Sequence, residues 1–300
     1  MSTGVKAPPD RERTATRLLR SSEKLSYDPA VDIDWDAPLV EDTYYGPPHR
    51  SSLYGTALWD GLTDHQRVEL TKHEVASIAS IGIWFETVLM QMLIRHAYDR
   101  DPRSGHVQYA YTEIGDECRH SVMFARMIDK FGCPAYGPGW FAHALGRVFK
   151  TISNGPLTFA GALFVEEILD AFQREAKDDE SLQPLVRAVS HIHVVEEARH
   201  MRYAHEELAR QWEKKTWLGK AYSRAVLAGA CYFAAVRLIH PQAYAAAGLD
   251  PRQARKAARR NPNWRASMTW AGRKVMRYFD DLGLVSGPAR FVYRRAGLLE

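Results

Sequence analysis

From Leu62 to Lys214 the apolar residues recur at three- and four-residue spacings, the period of amphipathic helices, with no convincing alternation of strand type. Thr63 or Asp64 is placed to cap a helix that continues, with a bend allowed, to near Tyr98, before Asp101-Pro102 ends it. A second helix is predicted from about Gly105 to Phe131, closed by Gly132 with Pro134 beyond. A third lies within Gly139 to Lys177, interrupted near Asn154-Gly155-Pro156, and a fourth runs from about Pro184 to Lys214. Further helices are expected from Trp217 to Ile239 and from Asn263 to Leu282. Four long helices in succession predict an all-α bundle.

Before Leu62 the pattern fails. Pro8, Pro9, Pro29, Pro38, Pro47 and Pro48 break any long period, so residues 1–61 are expected to form an irregular arm. Trp35, Tyr44, Tyr45 and Trp59 need cover, which the surface of the bundle can supply. The expected organisation is therefore an arm (1–61), a bundle (62–214) and a C-terminal helical extension of the same domain (215–300).

Composition narrows the class without changing it. With 46% hydrophobic and 25% charged residues, the chain falls in the soluble globular range. The longest apolar stretch, Ala225 to Val236, has 12 residues and ends at Arg237, short of a membrane span. The arginines near the N-terminus flank no apolar segment of signal-peptide type, so a cytoplasmic location is expected. Cys118, Cys133 and Cys231 are scattered and odd in number, which fits a reducing compartment and structural thiols. Cys118, between Glu117 and His120, is expected to be a buried or neighbouring thiol rather than a ligand. The net charge of +4 is uneven: residues 251–300 hold twelve Lys/Arg against three Asp/Glu, a local +9 that leaves −5 elsewhere. Such a tail can attract an acidic redox partner or an anionic substrate. Without a nucleic-acid motif it reads first as a solvated helix face, and no nucleic-acid partner is expected.

The chemistry lies in a spacing that occurs twice: Glu86, then Glu117 and His120; Glu166, then Glu197 and His200, with 31 positions between the glutamates each time. Ala79, Gly82, Ile83, Leu89, Met90 and Leu93 surround Glu86 at helical spacing, and Phe159, Ala162, Leu163 and Leu169 surround Glu166. A carboxylate on an apolar face costs several kcal/mol unless it is paired or bound to a cation. Alone, each would be an ordinary salt-bridged glutamate, and a lone Glu-x-x-His is weak. The duplication is what points to metal, because one Glu plus one Glu-x-x-His from each half of a bundle is the ligand set of carboxylate-bridged di-iron and di-manganese centres. Such oxygen-rich sites suit iron, with manganese as the alternative, better than zinc or copper.

Neighbouring residues agree. Asp116-Glu117-Cys118-Arg119-His120 and Glu196-Glu197-Ala198-Arg199-His200 share one form. Asp116 or Glu196 can accept the outer imidazole N–H of a ligating histidine, and Arg119 and Arg199 can pair with those acids. Glu113, one turn before Glu117, is a further residue expected behind the ligands. Glu167 points about 100° from Glu166 and is rejected, while His191 and His205 fall off the metal face. His193 breaks the symmetry: it precedes Glu197 by four and His200 by seven, so one helix face presents all three, and it is expected as a seventh ligand.

Through Glu117-x-x-His120, Glu166 and His193-x-x-x-Glu197-x-x-His200, with Glu86 on the first helix, the chain resembles the di-iron arylamine N-oxygenases, the p-aminobenzoate N-oxygenase family of antibiotic biosynthesis. The likeness runs from about Leu62 to Trp212. It implies a ferritin-like bundle, seven protein ligands including three histidines, and oxidation of an amine to hydroxylamine, nitroso and nitro products. Two iron ions would be the cofactor and dioxygen the co-substrate. A small-molecule amine and an electron donor, a reductase or a ferredoxin, would be partners, and a homodimer is expected. Tyr109, Phe124, Phe159 and Leu163 are candidates for pocket lining, although a stripe at helical spacing is more often plain core. Two readings compete: a di-iron hydroxylase or desaturase attacking C–H bonds of an aliphatic or acyl substrate, and a ferroxidase or iron-storage protein.

Overall fold

A computed structural model describes residues 10–300, and Pro8 and Pro9 lie outside them. The described chain forms thirteen α-helices and no strand beyond an isolated bridge between Tyr44 and Leu182. In chain order they are α1 (Arg11–Lys24), α2 (Ala57–Asp60), α3 (Asp64–Tyr98), α4 (Gly105–Lys130), α5 (Gly139–Ile152), α6 (Pro156–Asp178) and α7 (Pro184–Glu213). There follow α8 (Trp217–Ala235), α9 (Pro241–Ala246), α10 (Pro251–Arg260), α11 (Pro262–Ala271), α12 (Arg273–Asp281) and α13 (Pro288–Arg295).

Helices α3, α4, α6 and α7 make the bundle, with α3 paired to α4 and α6 to α7, and with α3–α6 and α4–α7 contacts closing it. Gly82 meets Leu169 while the His96 ring meets that of Phe159 edge-on, so α3 and α6 run antiparallel. His120 meets Glu196 while His200 meets Asp116, so α4 and α7 do too. The connection from α4 to α6 is therefore a long crossover along the bundle, and α5 lies within it. This is the ferritin-like topology, carrying extra helices at one side.

Local chemistry explains the boundaries. Thr63 and Gln66 form a reciprocal capping box at the start of α3. Gly132, at φ +66°, ends α4, and the Cys133 N–H returns to the Ile128 carbonyl. Gly155, at φ +58°, and Pro156 restart the chain as α6, which is the expected interruption of the third helix. The helix expected from Asn263 to Leu282 is broken at Gly272 into α11 and α12.

The arm departs from expectation. Trp35, Tyr45 and Trp59 are buried, but residues 11–24 are helical rather than irregular. Asp10 caps α1, and Thr14, Ala15, Leu18 and Ser22 form its buried stripe against α4 and α7. Arg11 grips Glu207 with two hydrogen bonds (2.8 and 2.6 Å), Thr14 Oγ1 donates to Glu206, and Glu12 accepts from the Gly105 N–H and contacts the His106 ring. A stripe this narrow and hydroxyl-rich carries little periodic signal, because its stability comes from ion pairs 90 to 200 positions away.

Helix α3 alone among the described residues is long and apolar enough to cross a membrane by length and composition. It is also the core helix of the bundle and carries the buried carboxylates Glu74 and Glu86. Burial pushes Glu74 up to about 7, against hydrogen bonds from the Ser52 N–H and hydroxyl. Between the ordinary value and about 7 the folded chain holds a proton that the unfolded chain has released. Its contribution is therefore full below pH 4.5 and is lost as pH rises through 7. Glu74→Gln, which keeps the acceptor, is expected to gain roughly 2–3 kcal/mol on the parent between pH 5 and pH 8. Urea unfolding of both chains at the two pH values checks this, and parallel stabilities would contradict it.

Candidate metal centre

The two halves of the bundle are related by an offset of 80 residues: Glu86 to Glu166, Asp116 to Glu196, Glu117 to Glu197, Arg119 to Arg199 and His120 to His200. Antiparallel pairing brings these positions to one level, midway along the bundle. Glu86, Glu117, His120, Glu166, His193, Glu197 and His200 are all buried, none more than 4% exposed. Their donor atoms fall into three overlapping groups, each within 4.8 Å: Glu117, His120, Glu197 and His200; Glu86, His120 and His193; Glu166, His193 and Glu197. All seven sequence-derived ligand candidates thus meet in one place.

The interior is polar yet largely unsatisfied. Among the described residues, Glu86 Oε1, both oxygens of Glu117, His120 Nδ1, Glu166 Oε2, His193 Nε2 and Glu197 Oε2 have no hydrogen-bond partner. Orphaned buried groups of this kind cost roughly 1–3 kcal/mol each, more when charged, and call for an ion. The facing N···O distances are 3.3 Å (His120–Glu197), 3.3 Å (His200–Glu117), 3.0 Å (His200–Glu197) and 3.5 Å (His193–Glu197). Donor atoms bound to one cation at about 2.0–2.2 Å stand roughly 3.0–3.5 Å apart, so the spacing fits shared metal ligation. Charge fits too: four carboxylates balance two divalent cations.

The electrostatics follow from packing carboxylates and imidazoles together in a dry interior. Burial, then Glu197, Glu117 and Glu86, push Glu166 well above the carboxylate range, and burial also raises Glu86. Burial would raise Glu197 as well, but His200 and His193 outweigh it and hold it well below its ordinary value. Burial opposes the charged form of His120 and His200, yet the surrounding carboxylates carry both well above the imidazole range.

Behind the ligands the two halves brace each other crosswise. His120 Nε2 lies 2.7 Å from Glu196 on the opposite helix, and His200 Nε2 lies 3.1 Å from Asp116. Each leaves Nδ1 facing the centre, the orientation that an acidic partner imposes on a ligating imidazole. Arg119 pairs with Asp116, and Arg199 Nη2 lies 3.5 Å from Asp116 and 3.7 Å from Glu196. The segment after α1 completes the brace: the Tyr27 N–H donates to Glu196 (3.0 Å), and Arg199 donates to the Leu25 carbonyl (3.1 Å). Ser121 Oγ donates to Glu86 at 2.6 Å.

His193 is held differently. Its Nδ1 lies 2.6 Å from the Gln173 side-chain oxygen, its ring packs on Phe124 and His120, and its Nε2 faces inward. Under the 80-residue offset its counterpart is Glu113, buried with Oε2 unpartnered, pushed well up by burial and outside the convergent groups. The asymmetry is thus a histidine where the other half has a carboxylate, an equivalence visible in the numbering once the offset is applied.

Rejected candidates fall where expected: Glu167 is held by His205 (2.6 Å), and His191 lies at the surface beside Tyr27. Cys118 is a correction: it is exposed, its sulfur 3.4 Å from that of Met90, because α4 turns it away from the bundle axis. Tyr109, Phe159 and Leu163 are closed core, and none of the four pocket candidates lines the cavity that reaches the centre. That cavity, about 310 Å³, lies between α3, α5, α6 and α8. Its walls are almost wholly apolar, with Trp84, Phe85, Phe149, Phe164 and Phe233 prominent, and its charged lining residues are Glu166 and Arg237.

Residues 8–283 match the family described as p-aminobenzoate N-oxygenase AurF. The chain belongs to this family. The AurF match takes in the arm and most of the C-terminal helices as well as the bundle, so they are part of the family's architecture. Uncharacterized proteins of Mycobacterium bovis and Mycobacterium tuberculosis are also similar, 29% identical over 213 residues that cover 66% of this chain. The match spans 61% of the length of those relatives. The buried Glu/His groups are able to hold metal.

Proposed function

We propose that the chain is a dioxygen-dependent di-iron oxygenase that N-oxygenates an aromatic amine, with Glu86, Glu117, His120, Glu166, His193, Glu197 and His200 holding two iron ions. The observation that carries this reading is the convergence of seven buried, mostly unpartnered donors carrying four carboxylates, in a chain of the AurF family. Bound iron supplies the electrons and orbitals through which dioxygen reacts with a spin-paired amine.

The chain's own residues do the rest. Glu196 and Asp116 fix the tautomers of His120 and His200, and Gln173 orients His193. The apolar cavity takes the body of the amine and excludes water, with the reacting nitrogen turned toward Glu166. Glu166, which both lines the cavity and belongs to the donor groups, marks the end of the cavity at the centre. An external electron donor, a reductase or a ferredoxin, would be required as a partner, and assembly as a cytoplasmic homodimer belongs to the same reading.

Anaerobic ferrous loading followed by dioxygen and an arylamine panel tests the reaction. Hydroxylamine, nitroso or nitro products are expected; hydroxylated or desaturated acyl products without them would favour the C–H reading. Ala230→Trp, which fills the cavity from α8, is expected to raise KM about tenfold or more at unchanged metal content. Unaltered kinetics would place the substrate elsewhere.

A further inference from the structure

The basic C-terminal segment is largely exposed, as expected, but its cations are gathered around one concavity. It closes a second cleft, about 730 Å³, between the end of α8, α9, α10, α11 and the end of α13. Helix α10 contributes Arg252, Arg255, Lys256, Arg259 and Arg260, and Arg265 and Arg295 stand on the other walls. No Asp or Glu lines the cleft, and among the described residues none of these seven cations forms an ion pair. Arg265 alone has a protein acceptor, the Arg294 carbonyl.

Helix α10 carries its cations at spacings unfavourable to itself. On ten residues, α10 sets Arg252 against Lys256, Arg255 against Arg259 and Lys256 against Arg260, like charges one turn apart that destabilise a helix. Arginines such as Arg11, Arg50, Arg174 and Arg290 pair with Glu207, Glu175, Asp170 and Asp280, and none of the cleft cations has such a partner among the described residues. Seven cations left uncompensated around one concavity form a field that concentrates a polyanion. Guanidinium groups present forked donors matched to phosphate oxygens.

The floor adds a second chemistry. Tyr232 and Trp264 are partly exposed in the cleft, above the apolar surface of Leu238, Ile239 and Met268. Aromatic rings beside arginines are a stacking platform for a nucleobase. We infer that this cleft binds a phosphate-bearing nucleotide, its phosphates on the α10 cations and its base against Tyr232 and Trp264.

Helix α8 is the wall between this cleft and the apolar cavity: Tyr232, Ala235 and Val236 face the cations, while Phe233, Ala234 and Arg237 face the cavity beside Glu166. A nucleotide here serves as the carrier of a reducing coenzyme or as the handle of a nucleotide-linked substrate, and the two sources share the same recognition.

Calorimetric titration of the full chain at physiological salt with NADPH, FMN, coenzyme A, ATP, pyrophosphate and a single-stranded oligonucleotide tests the site. Saturable binding of at least one nucleotide, tighter than pyrophosphate, is expected; preference for NADPH or FMN identifies a reducing coenzyme, and preference for coenzyme A a substrate handle. The double variant Lys256→Glu with Arg259→Glu replaces like-charge pairs in α10 by opposite ones, so the helix is retained. It is expected to weaken that binding at least about tenfold without lowering the melting temperature. No saturable nucleotide binding, pyrophosphate binding as tightly as any nucleotide, a preference for the oligonucleotide, or a double variant that binds like the parent would each overturn the inference. The ligands of the metal centre do not line the cleft, so the titration is repeated on chelator-treated protein. Binding there stands or falls separately from the proposed oxygenase reaction.

Discussion

Glu166→Gln is expected to make the metal-free protein more stable than the parent and the metal-loaded protein less stable. Without metal, four carboxylates share one dry interior, and Glu166 is the one that burial and its three acidic neighbours most disfavour as an anion. A neutral amide of the same shape removes that repulsion. With metal the sign reverses, because the amide is a poorer ligand and the charge balance of four carboxylates against two divalent ions is broken. At free ferrous ion 100-fold above Kd, each occupied site stabilises the parent by about 2.7 kcal/mol. Two sites together are expected to raise the melting temperature by roughly 10 °C. The variant is expected to gain half of that or less. Anaerobic calorimetry with chelator and with ferrous ion measures both halves, and an equal rise in the two proteins would remove Glu166 from the ligand set.

The site was more legible in the sequence than the surface around it, for a reason tied to helices. On a rigid helix a spacing of three, four or seven positions is already a geometry, so His193, Glu197 and His200 could be assigned to one face without knowing what they faced. The duplicated 31-residue interval then supplied the partner half. What spacing could not supply was which helix each bracing acid would reach. Glu196 lies four positions before His200 and could have held it, yet the antiparallel pairing of α4 and α7 sends it to His120 instead. Likewise α1, the apolar cavity and the basic cleft depend on segments distant in sequence: Arg11 pairs with Glu207, α5 and α8 are walls of one cavity, and α10 and the end of α13 are walls of the other. Cys118 shows the limit of the converse argument, since proximity in sequence to two ligand candidates left it on the outer face.

His193→Ala is expected to separate metal binding from turnover. The six groups related by the 80-residue offset remain in this variant, so two ions per chain are still expected at saturating iron, with affinity lowered about 10–100-fold. The N-oxygenated product is expected to fall by about 10² or more, because on the proposed reading His193 adds an imidazole donor to the six groups of the duplicated set. A structural explanation is excluded by a second variant. Gln173→Leu keeps the His193 ring packed on Phe124 but removes the acceptor of its Nδ1 proton. If His193 acts as a ligand, Gln173→Leu lowers turnover less than His193→Ala does while shifting the optical spectrum of the loaded centre; if His193 only packs, the spectrum is unchanged. Substituting His193→Glu, the residue type of the equivalent position 113, puts a fifth carboxylate against two divalent ions and is not expected to restore turnover. A His193→Ala protein that loads iron and oxidises amines at the parent rate would show that the asymmetric histidine is a core residue, and the chemistry would then rest on the six symmetric groups alone.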